Sequence, residues 1–361
     1  MNDANGLISF IASMSGEGNL RVEENLGEGY VRLRVSEAER RQAKHDIQHV
    51  EDIVIEMLRN ARDAGADKVY LATTKEDGVR TLVFLDNGSG VPQDMQERIF
   101  DARVTSKLES MKLDRWGVHG RGMALFSIKQ NTDEARVVAS DVDLGSVFKV
   151  SVATDRLGER ADQSSWPQAV KDEDGHYVCA RGPHNIIRAA CEFALEELRA
   201  CDVYLGSPSE IAATLHAQAS SRLDASRLLF IDDEAELPVV DRLGLASDAE
   251  DFIRICSGLG LEMSERTAHR ILAGQIKPVR GVTARLLRER DSSSHASAPV
   301  DLAKDRRGLR IAKDDMAQFS RAVERDFNDL ASRYYLNLCG DPKIRVSRDR
   351  ITVTFDLAKE E

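Results

Sequence analysis

The chain has 361 residues, a length that favours two or three hydrophobic cores over a single one. Its formal net charge of -11 argues against a protein that coats nucleic acid nonspecifically, although a local basic surface is compatible with it. The five cysteines stand far apart without a C-x-x-C pair, which disfavours a structural zinc site and a disulfide framework.

Residues 1–40 are predicted to form an N-terminal arm. An apolar stretch from Leu7 to Met14 is followed by an alternating segment, Gly29 to Val35, which is typical of a strand. The N-terminus has no basic region of the kind that begins a signal peptide, and no apolar run reaches the roughly 18 residues of a membrane helix. We therefore expect a cytoplasmic protein without a membrane partner.

A helix is predicted from His45 to Ala64, because apolar residues recur there on one face. The opposite face carries Glu56, Asn60 and Asp63. This stripe offers a carboxylate, a neutral oxygen ligand and a second carboxylate, so a general base can lie beside a metal ligand. A solvated helix face would show the same pattern, and the helix alone does not decide between the two.

A hairpin is predicted next, with strands from Lys68 to Thr74 and from Val79 to Leu85 and a turn at Gly78. The second strand brings Asp86 to its end, followed by the turn Asn87 to Gly90. The Asp86 carboxylate can accept a hydrogen bond from an adenine amino group, and glycines permit close approach of a base. An ordinary hairpin turn is the alternative explanation of these residues.

A second glycine-rich segment, Gly117 to Gly122, precedes a helical run from Met123 to Gln130, so its amides and the helix end can cradle phosphate. Further strands are predicted at Ala135 to Ala139, Ser146 to Ala153 and Asn185 to Arg188, with a long loop at 155–178 and a helix ending near Cys201. The pattern predicts an α+β fold.

Residues 243–290 are predicted to form a small helical module of the helix-turn-helix kind, in which Arg266 and Arg270 are exposed. DNA contact through residues 248–290 is one hypothesis, and an ordinary helical packing domain is the other. A linker at 291–299 separates this module from residues 300–361, where a helix from Asp314 to Leu336 precedes strands at Lys343 to Val346 and Arg350 to Phe355.

Four motifs in order resemble those of the GHKL ATPases: E-x-x-x-N-A-x-D-A from Glu56, D-x-G-x-G from Asp86, Thr105-Ser-Lys107 and the second glycine segment. The sequences of these motifs most resemble those of MutL, of the gyrase ATPase and of the ATP-binding component of topoisomerase VI. The resemblance covers residues 45–190. It implies a Bergerat fold, a sandwich of a mixed sheet with helices on one face, within a domain of residues 41–240 that is followed by a smaller and mostly helical region.

The resemblance implies that Glu56 is the general base, that Asn60 binds Mg²⁺ and that Asp86 reads adenine. It also implies that Lys107 contacts phosphate, so Glu56 and Lys107 are the predicted catalytic residues. The other nucleotide contacts that the resemblance implies are Asp63, Gly88, Gly90, Thr105, Ser106, Gly117, His119, Gly120, Arg121 and Gly122. One departure concerns a threonine that family members place after a glycine on a later strand; the best match here is Gly182 to Asn185.

The implied function is an ATP-driven switch with Mg²⁺-dependent binding and slow hydrolysis. By the same resemblance, ATP closes a homodimer through the N-terminal arms, DNA is the target, and a second protein does any cutting. Two alternatives remain open: a chaperone-like clamp on protein clients, and a nucleotide-dependent regulatory adaptor without significant hydrolysis.

Overall fold

A computed structural model describes residues 22–106, 113–114, 117–118, 122–223, 231, 233–287, 313–331, 336–340, 342–346 and 351–359. Contacts divide the chain into two units, Met1–Arg288 and Glu289–Glu361. The predicted apolar stretch at 7–14 and the predicted linker at 291–299 lie outside the described residues. No helix in the described part of the chain has both the length and the apolar composition needed to cross a membrane.

The first unit alternates helices and strands. Its helices are α1 (Glu37–Asp46), α2 (Val50–Asp63), α3 (Ala124–Asn131), α4 (Ile186–Glu196), α5 (Pro208–Arg222), α6 (Ala249–Gly258) and α7 (Glu265–Leu272). Its strands are β1 (Val22–Gly27), β2 (Tyr30–Leu33), β3 (Lys68–Glu76), β4 (Val79–Asp86), β5 (Val104–Thr105), β6 (Leu113–Asp114), β7 (Gly117–Val118), β8 (Glu134–Ser140), β9 (Ser146–Ala153), β10 (Gln168–Lys171), β11 (Tyr177–Arg181) and β12 (Asp202–Gly206).

The central sheet has the strand order β12-β3-β4-β9-β8. The β12–β3 pair is parallel, and the pairs from β3 to β8 are antiparallel, so the sheet is mixed. In the β4–β9 register, Asp86 lies opposite Ser146. The mixed sheet and its packed helices confirm the predicted α+β class.

The first face of the sheet forms a core with α2 and α4. Side chains alternate along each strand, so Leu71 of β3 and Phe84 of β4 point to this face. They pack with Leu58 of α2 and Phe193 of α4, and all four side chains are almost completely inaccessible to solvent. This core fixes α2 on the sheet, and α2 carries the predicted catalytic stripe.

The second face of the sheet is covered as well, which the one-face prediction did not include. Tyr70 and Leu85 point to this face and pack with Leu215 of α5, Phe252 of α6 and Ile271 of α7. Residues 249–272, predicted to belong to a separate helical module, therefore share a core with the sheet. The alternation of apolar residues on both faces of β3 and β4 is typical of a sheet that is buried on both sides.

The predicted helix from His45 to Ala64 is confirmed over α2, but its first two residues, His45 and Asp46, belong to α1. The Asp52 carboxylate accepts the backbone N–H groups of Gln48 at 3.0 Å and His49 at 2.9 Å. An acidic side chain that caps the first turn of α2 in this way ends α1 at Asp46. The predicted start of this helix was therefore too early, because the apolar periodicity continues through the break.

Two predictions for residues 155–188 were wrong. The expected loop contains the antiparallel pair β10–β11, and the expected strand at Asn185 to Arg188 is the start of α4. The Asn185 side chain accepts the N–H of Arg188 at 2.8 Å and donates to the carbonyl of Asp162 at 2.7 Å. The short apolar sequence after Asn185 fits a strand or a buried helix equally well, and the N-cap decides for the helix.

An N-terminal hairpin pairs with the segment before the second glycine region. The predicted strand near Gly29 to Val35 is confirmed as β2, and β1, β2 and β5 form a small antiparallel sheet. Within it, Val31 lies opposite Thr105. The hairpin therefore contacts the T-S-K element of its own chain.

The second unit contains a helix and two strand pairs. Its elements are α8 (Lys313–Ala331), β13 (Leu336–Leu338), β14 (Lys343–Val346), β15 (Ile351–Thr354) and β16 (Leu357–Lys359). The predicted pair is confirmed as β14–β15, and β13 pairs with β16. Phe327 of α8 stacks on Phe355 with ring centroids 4.0 Å apart, so the helix and the strands pack together within this unit.

Phe252→Ala tests whether α6 and the sheet share one core. Phe252 is fully buried and meets the ring of His216 edge-on at 5.6 Å, so its truncation should destabilise the whole first unit by about 3–5 kcal/mol. Thermal unfolding followed by circular dichroism and by tryptophan fluorescence should show one shifted transition. Val142→Ala, at a half-exposed side chain, is the control. An independent early transition, with the remainder unshifted, would contradict the shared core.

Candidate active site

A cavity of about 500 Å³ opens at the first face of the sheet, a size within the usual range for small-molecule sites. Its wall combines α2, the end of β4, the start of β9, the T-S-K segment and the start of α3. The predicted site residues that line it are Glu56, Asn60, Asp63, Asp86, Gly90, Thr105, Ser106 and Gly122. Residues from four distant parts of the sequence are therefore brought together.

The stripe on α2 faces this cavity. Glu56 and Asn60 are one helical turn apart and both contribute to the wall. The guanidinium of Arg59, only 3% exposed, donates to Glu56 Oε1 at 2.8 Å. Because Arg59 is buried, this contact limits the rotamers of Glu56 and orients its carboxylate. Arg59 was not among the predicted site residues, although it stands between Glu56 and Asn60 in the sequence.

Asp63, the third residue of the stripe, belongs to a buried ion-pair network. Its Oδ1 accepts from Arg62 Nε at 2.9 Å, and Arg62 Nη1 donates to Glu197 Oε1 at 3.1 Å. The side chains of Asp63 and Arg62 are 3% and 5% exposed. The network joins the end of α2 to the residue after α4, and a direct contact of Asp63 with nucleotide stays a prediction.

Asp86 is buried at the end of β4, where its Oδ1 accepts the N–H of Gly88 at 2.8 Å. The turn that follows packs on the C-terminal cap of α2. A Cβ on Gly88 would lie 2.8 Å from the carbonyl oxygen of Ala64, and Ser89 N–H donates to the same oxygen at 2.9 Å. This close packing holds Asp86 and Asn60 on one cavity. Gly88 acts through this contact and is not itself part of the cavity wall.

Two other glycines permit close backbone approach around Asp86. Gly90 has a φ of +71°, and a Cβ there would lie 1.8 Å from the carbonyl oxygen of Asp141. Gly145 has a φ of +77°, and its Cβ would lie 2.1 Å from the carbonyl oxygen of Asp86. No side chain fits at either position without moving the backbone. Gly90 of the D-x-G-x-G motif is therefore required by packing as well as by access to the cavity, and Gly145 is required by packing.

Ser146 is a buried hydroxyl residue at the start of β9 that was not among the predicted site residues. It is 3% exposed, lies opposite Asp86 in the β4–β9 register and lines the cavity. Gly182 to Asn185 contributes no residue to the described cavity wall. The dipeptide Gly145-Ser146 at a strand start offers the same glycine-then-hydroxyl pattern and was the available signal.

The opposite part of the cavity presents hydroxyl and amide groups. Thr105 and Ser106 line it, and the Tyr30 hydroxyl from β2 forms a hydrogen bond with the Ser106 side chain. Burial raises the pKa of Tyr30, which keeps its hydroxyl protonated. Met123, the N-cap of α3, makes no side-chain cap hydrogen bond, so within the described residues its side chain leaves the backbone N–H groups of the first turn to donate to an anion.

The remaining predicted contacts are only partly described. Gly117 lies in β7, which pairs with β6, and the structure describes its backbone alone. Lys107, His119, Gly120 and Arg121 lie outside the described residues. Their roles stay predictions.

Glu56 and Asn60 could hold a metal ion together with a ligand's oxygen atoms. In the described part of the chain, no group of three or more His, Cys, Asp or Glu side chains is arranged to bind a metal. The carboxylate and amide oxygens of Glu56 and Asn60 are donors of the type that Mg²⁺ prefers, and Mg²⁺ commonly takes only one or two protein ligands beside phosphates. The donor set therefore fits the predicted Mg²⁺ site at Asn60.

The segment that carries Glu56, Asn60 and Asp86 is similar to known proteins. The model of the family described as histidine kinase-, DNA gyrase B- and HSP90-like ATPase matches residues 47–140. The DNA mismatch repair protein MutL of Staphylococcus aureus strains Newman, JH1 and Mu3 is 28% identical over 136 residues, or 35% of this chain. The matched part is 20% of MutL, so the chain spans about a fifth of the length of these relatives.

Ser146→Ala tests the contribution of the buried hydroxyl. Ser140 Oγ keeps its bond to the carbonyl of Gly145 at 2.8 Å, so the substitution leaves no buried donor stranded. We expect affinity for ATP to fall about tenfold, the equivalent of one net hydrogen bond. Ser151→Ala on the same strand, where the hydroxyl contacts Thr81, is the matched control for isothermal titration. Equal affinities of the two variants would exclude Ser146 from the binding site.

Proposed function

We propose that this chain, whose residues 47–140 belong to the GHKL ATPase superfamily, is an ATP-driven switch that binds Mg²⁺-ATP, hydrolyses it slowly and closes a homodimer that acts on DNA. The observation that carries the proposal is the common cavity of Glu56, Asn60 and Asp86. A carboxylate base, an amide metal ligand and a buried strand-end carboxylate are the groups that nucleotide hydrolysis requires.

Adenine binds at the end of the cavity where Asp86 and Ser146 face each other. Asp86 accepts a hydrogen bond from the adenine amino group, and the Gly88 N–H holds the carboxylate in position. The rings of Phe84 and Phe148 line the same cavity and provide apolar contact for the base. A buried acceptor of this kind selects a purine that carries an amino group.

The phosphate chain extends toward Thr105, Ser106 and the first turn of α3. Glu56, oriented by Arg59, accepts a proton from a water molecule, and the oxygen of that water attacks the terminal phosphorus of ATP. The bond from this phosphorus to the bridging oxygen breaks, which leaves ADP and phosphate. Mg²⁺ bound through Asn60 would neutralise phosphate charge and orient the phosphate chain.

Glu56→Ala and Asp86→Asn separate hydrolysis from binding. Without the base, Glu56→Ala should bind ATP but lose turnover by a factor of about 10²–10⁴. Asp86→Asn should lose ATP binding, because asparagine has one acceptor oxygen and cannot accept from both the Gly88 N–H and the adenine amino group.

Phosphate release and titration calorimetry measure these effects, and Glu97→Ala, at an exposed carboxylate outside the cavity, is the control. Full turnover in Glu56→Ala would exclude the assigned base. Biological function retained in that variant despite the loss of ATP hydrolysis would favour the regulatory adaptor.

DNA as the target rests on the similarity to a mismatch repair protein and on a basic surface of α7. Arg266 and Arg270 are exposed on this helix, one turn apart, and line an open groove with Gln275. Lys277 and Arg280, also exposed, follow on the next segment. Among the described residues, none of these four cations has a carboxylate partner within 4.0 Å, so their charge is available to phosphate groups.

Arg266→Ala together with Arg270→Ala should weaken binding of duplex DNA. Each lost phosphate contact should reduce the slope of log affinity against log salt by about one, so the double variant should lose about two. Gel shifts at several salt concentrations measure this. Arg254→Ala is the matched control, because Arg254 is exposed on neighbouring α6 but is paired with Glu234 at 2.6 Å. Unchanged salt dependence would remove this surface from DNA binding, and stimulation of turnover by protein alone would favour the chaperone-like clamp.

A further inference from the structure

Arg103 is a buried arginine in the wall of the cavity that no motif identified. It precedes β5, its side chain is 8% exposed, and it lines the cavity beside Gly122 and Thr105. Arg59 and Arg103 are the arginines on the described part of this wall. Arg59 orients Glu56, whereas Arg103 lies on the segment that carries the T-S-K element.

The backbone holds Arg103 in an unusual conformation. Its φ of +63° is in the left-handed region, which an arginine rarely adopts. The N–H of Arg103 donates to the carbonyl of Gly122 at 2.8 Å, and its carbonyl accepts from Leu33 N–H at 3.0 Å. These bonds fix the residue between the N-terminal hairpin and the second glycine region. Strained conformations that the surroundings maintain are concentrated at functional sites.

The Arg103 guanidinium has one buried N–H donor that is not used within the described residues. Its Nη2 donates to Glu39 Oε1 of α1. Its Nε–H is buried and has no hydrogen-bond partner among the described residues. A buried donor without a partner is unfavourable, so an acceptor that reaches this position would be bound more tightly.

The chemistry of the wall indicates which acceptor this is. An arginine fork matches the oxygens of a phosphate group, and Thr105, Ser106 and the first turn of α3 offer further donors in the same cavity. Glu39 already contributes one carboxylate to the cavity wall. An approaching phosphate chain and this carboxylate compete for the same cation.

We propose, on the basis of the proposed ATP site, that Arg103 binds the phosphate chain of the nucleotide and that Glu39 competes with that chain for the Arg103 guanidinium. Exchange of partners is possible without unfolding α1. The second oxygen of Glu39 accepts from the backbone N–H and the hydroxyl of Ser36, at 2.8 and 3.0 Å, and this capping box does not depend on Arg103. Nucleotide binding thus weakens the link between α1 and the segment that carries Thr105.

Glu39 is ionised at neutral pH. Burial raises the pKa of its carboxyl, but the hydrogen bonds from Ser36 and the charge of Arg103 outweigh burial and hold that pKa below the usual value of a glutamate. An ionised carboxylate on the cavity wall repels a polyphosphate, so its removal should favour the nucleotide.

Two variants that break the same ion pair test the proposal in opposite directions. Arg103→Gln should weaken binding of a nonhydrolysable ATP analogue by about 10- to 100-fold, the loss expected for a charged hydrogen bond, and should leave adenosine affinity within about twofold. Glu39→Gln keeps an oxygen for the Ser36 cap and should strengthen binding of the analogue several-fold. Arg98→Gln, at an arginine 39% exposed and outside the cavity, is the matched control. Isothermal titration gives the affinities, and thermal unfolding verifies that each variant is folded.

A purely structural ion pair would change both affinities in the same direction, and that result would overturn the proposal. So would a loss of adenosine affinity in Arg103→Gln equal to the loss for the ATP analogue. Titration of the wild-type chain distinguishes failure of the proposed ATP site from failure of the role of Arg103. If the wild-type chain bound no ATP analogue, the proposed function itself would fail. If it bound the analogue and Arg103→Gln bound it equally well, only the role of Arg103 would fail.

Discussion

The contact on which the site depends is the packing of the turn after β4 against the end of α2. The carbonyl of Ala64 lies so close to Gly88 that a Cβ would be 2.8 Å away, and it accepts the N–H of Ser89. This contact joins a helix to a strand end. It places Asn60 and Asp86 on one cavity, although they are distant in the chain. Without it the polar stripe of α2 and the strand-end carboxylate would be separate surface features.

The two sheet faces have different roles in this arrangement. The first carries α2 and the cavity, and the apolar residues of β4 and β9 continue into the cavity floor at Phe84 and Phe148. The second is buried by α5, α6 and α7, so the strands have apolar partners on both sides. A sheet that is held from both sides is a rigid support, and an active site requires such a support for its positioned groups. The exposed arginines of α7 lie on the helix that covers the second face.

Most of the predicted site residues that the structure describes line one cavity, whereas several of the predicted elements around them were misplaced. Helical spacing placed Glu56 and Asn60 on one face, and the glycines beside Asp86 are explained by close backbone approach. Periodicity could not detect the break between α1 and α2, which depends on the capping carboxylate of Asp52. Nor could it assign the short apolar run after Asn185, which fits a strand or a helix.

Residues missed by sequence analysis act through tertiary geometry. Ser146 matters because of its register opposite Asp86, and Arg103 because its backbone is clamped between Leu33 and Gly122. Neither relation is visible in local spacing. The helical layer on the second face of the sheet was also not predicted, because short helices separated by glycines fit a separate module and a packed layer equally well.

The proposed site depends most on recognition of the adenine amino group by Asp86 in this cavity. The most direct test compares the affinities of the wild-type chain for ATP and ITP, which carries a carbonyl oxygen in place of that amino group. ATP should bind at least about tenfold more tightly, because the buried carboxylate would face the carbonyl oxygen without a proton between them. Equal affinities, or tighter binding of ITP, would exclude Asp86 from recognition of the amino group.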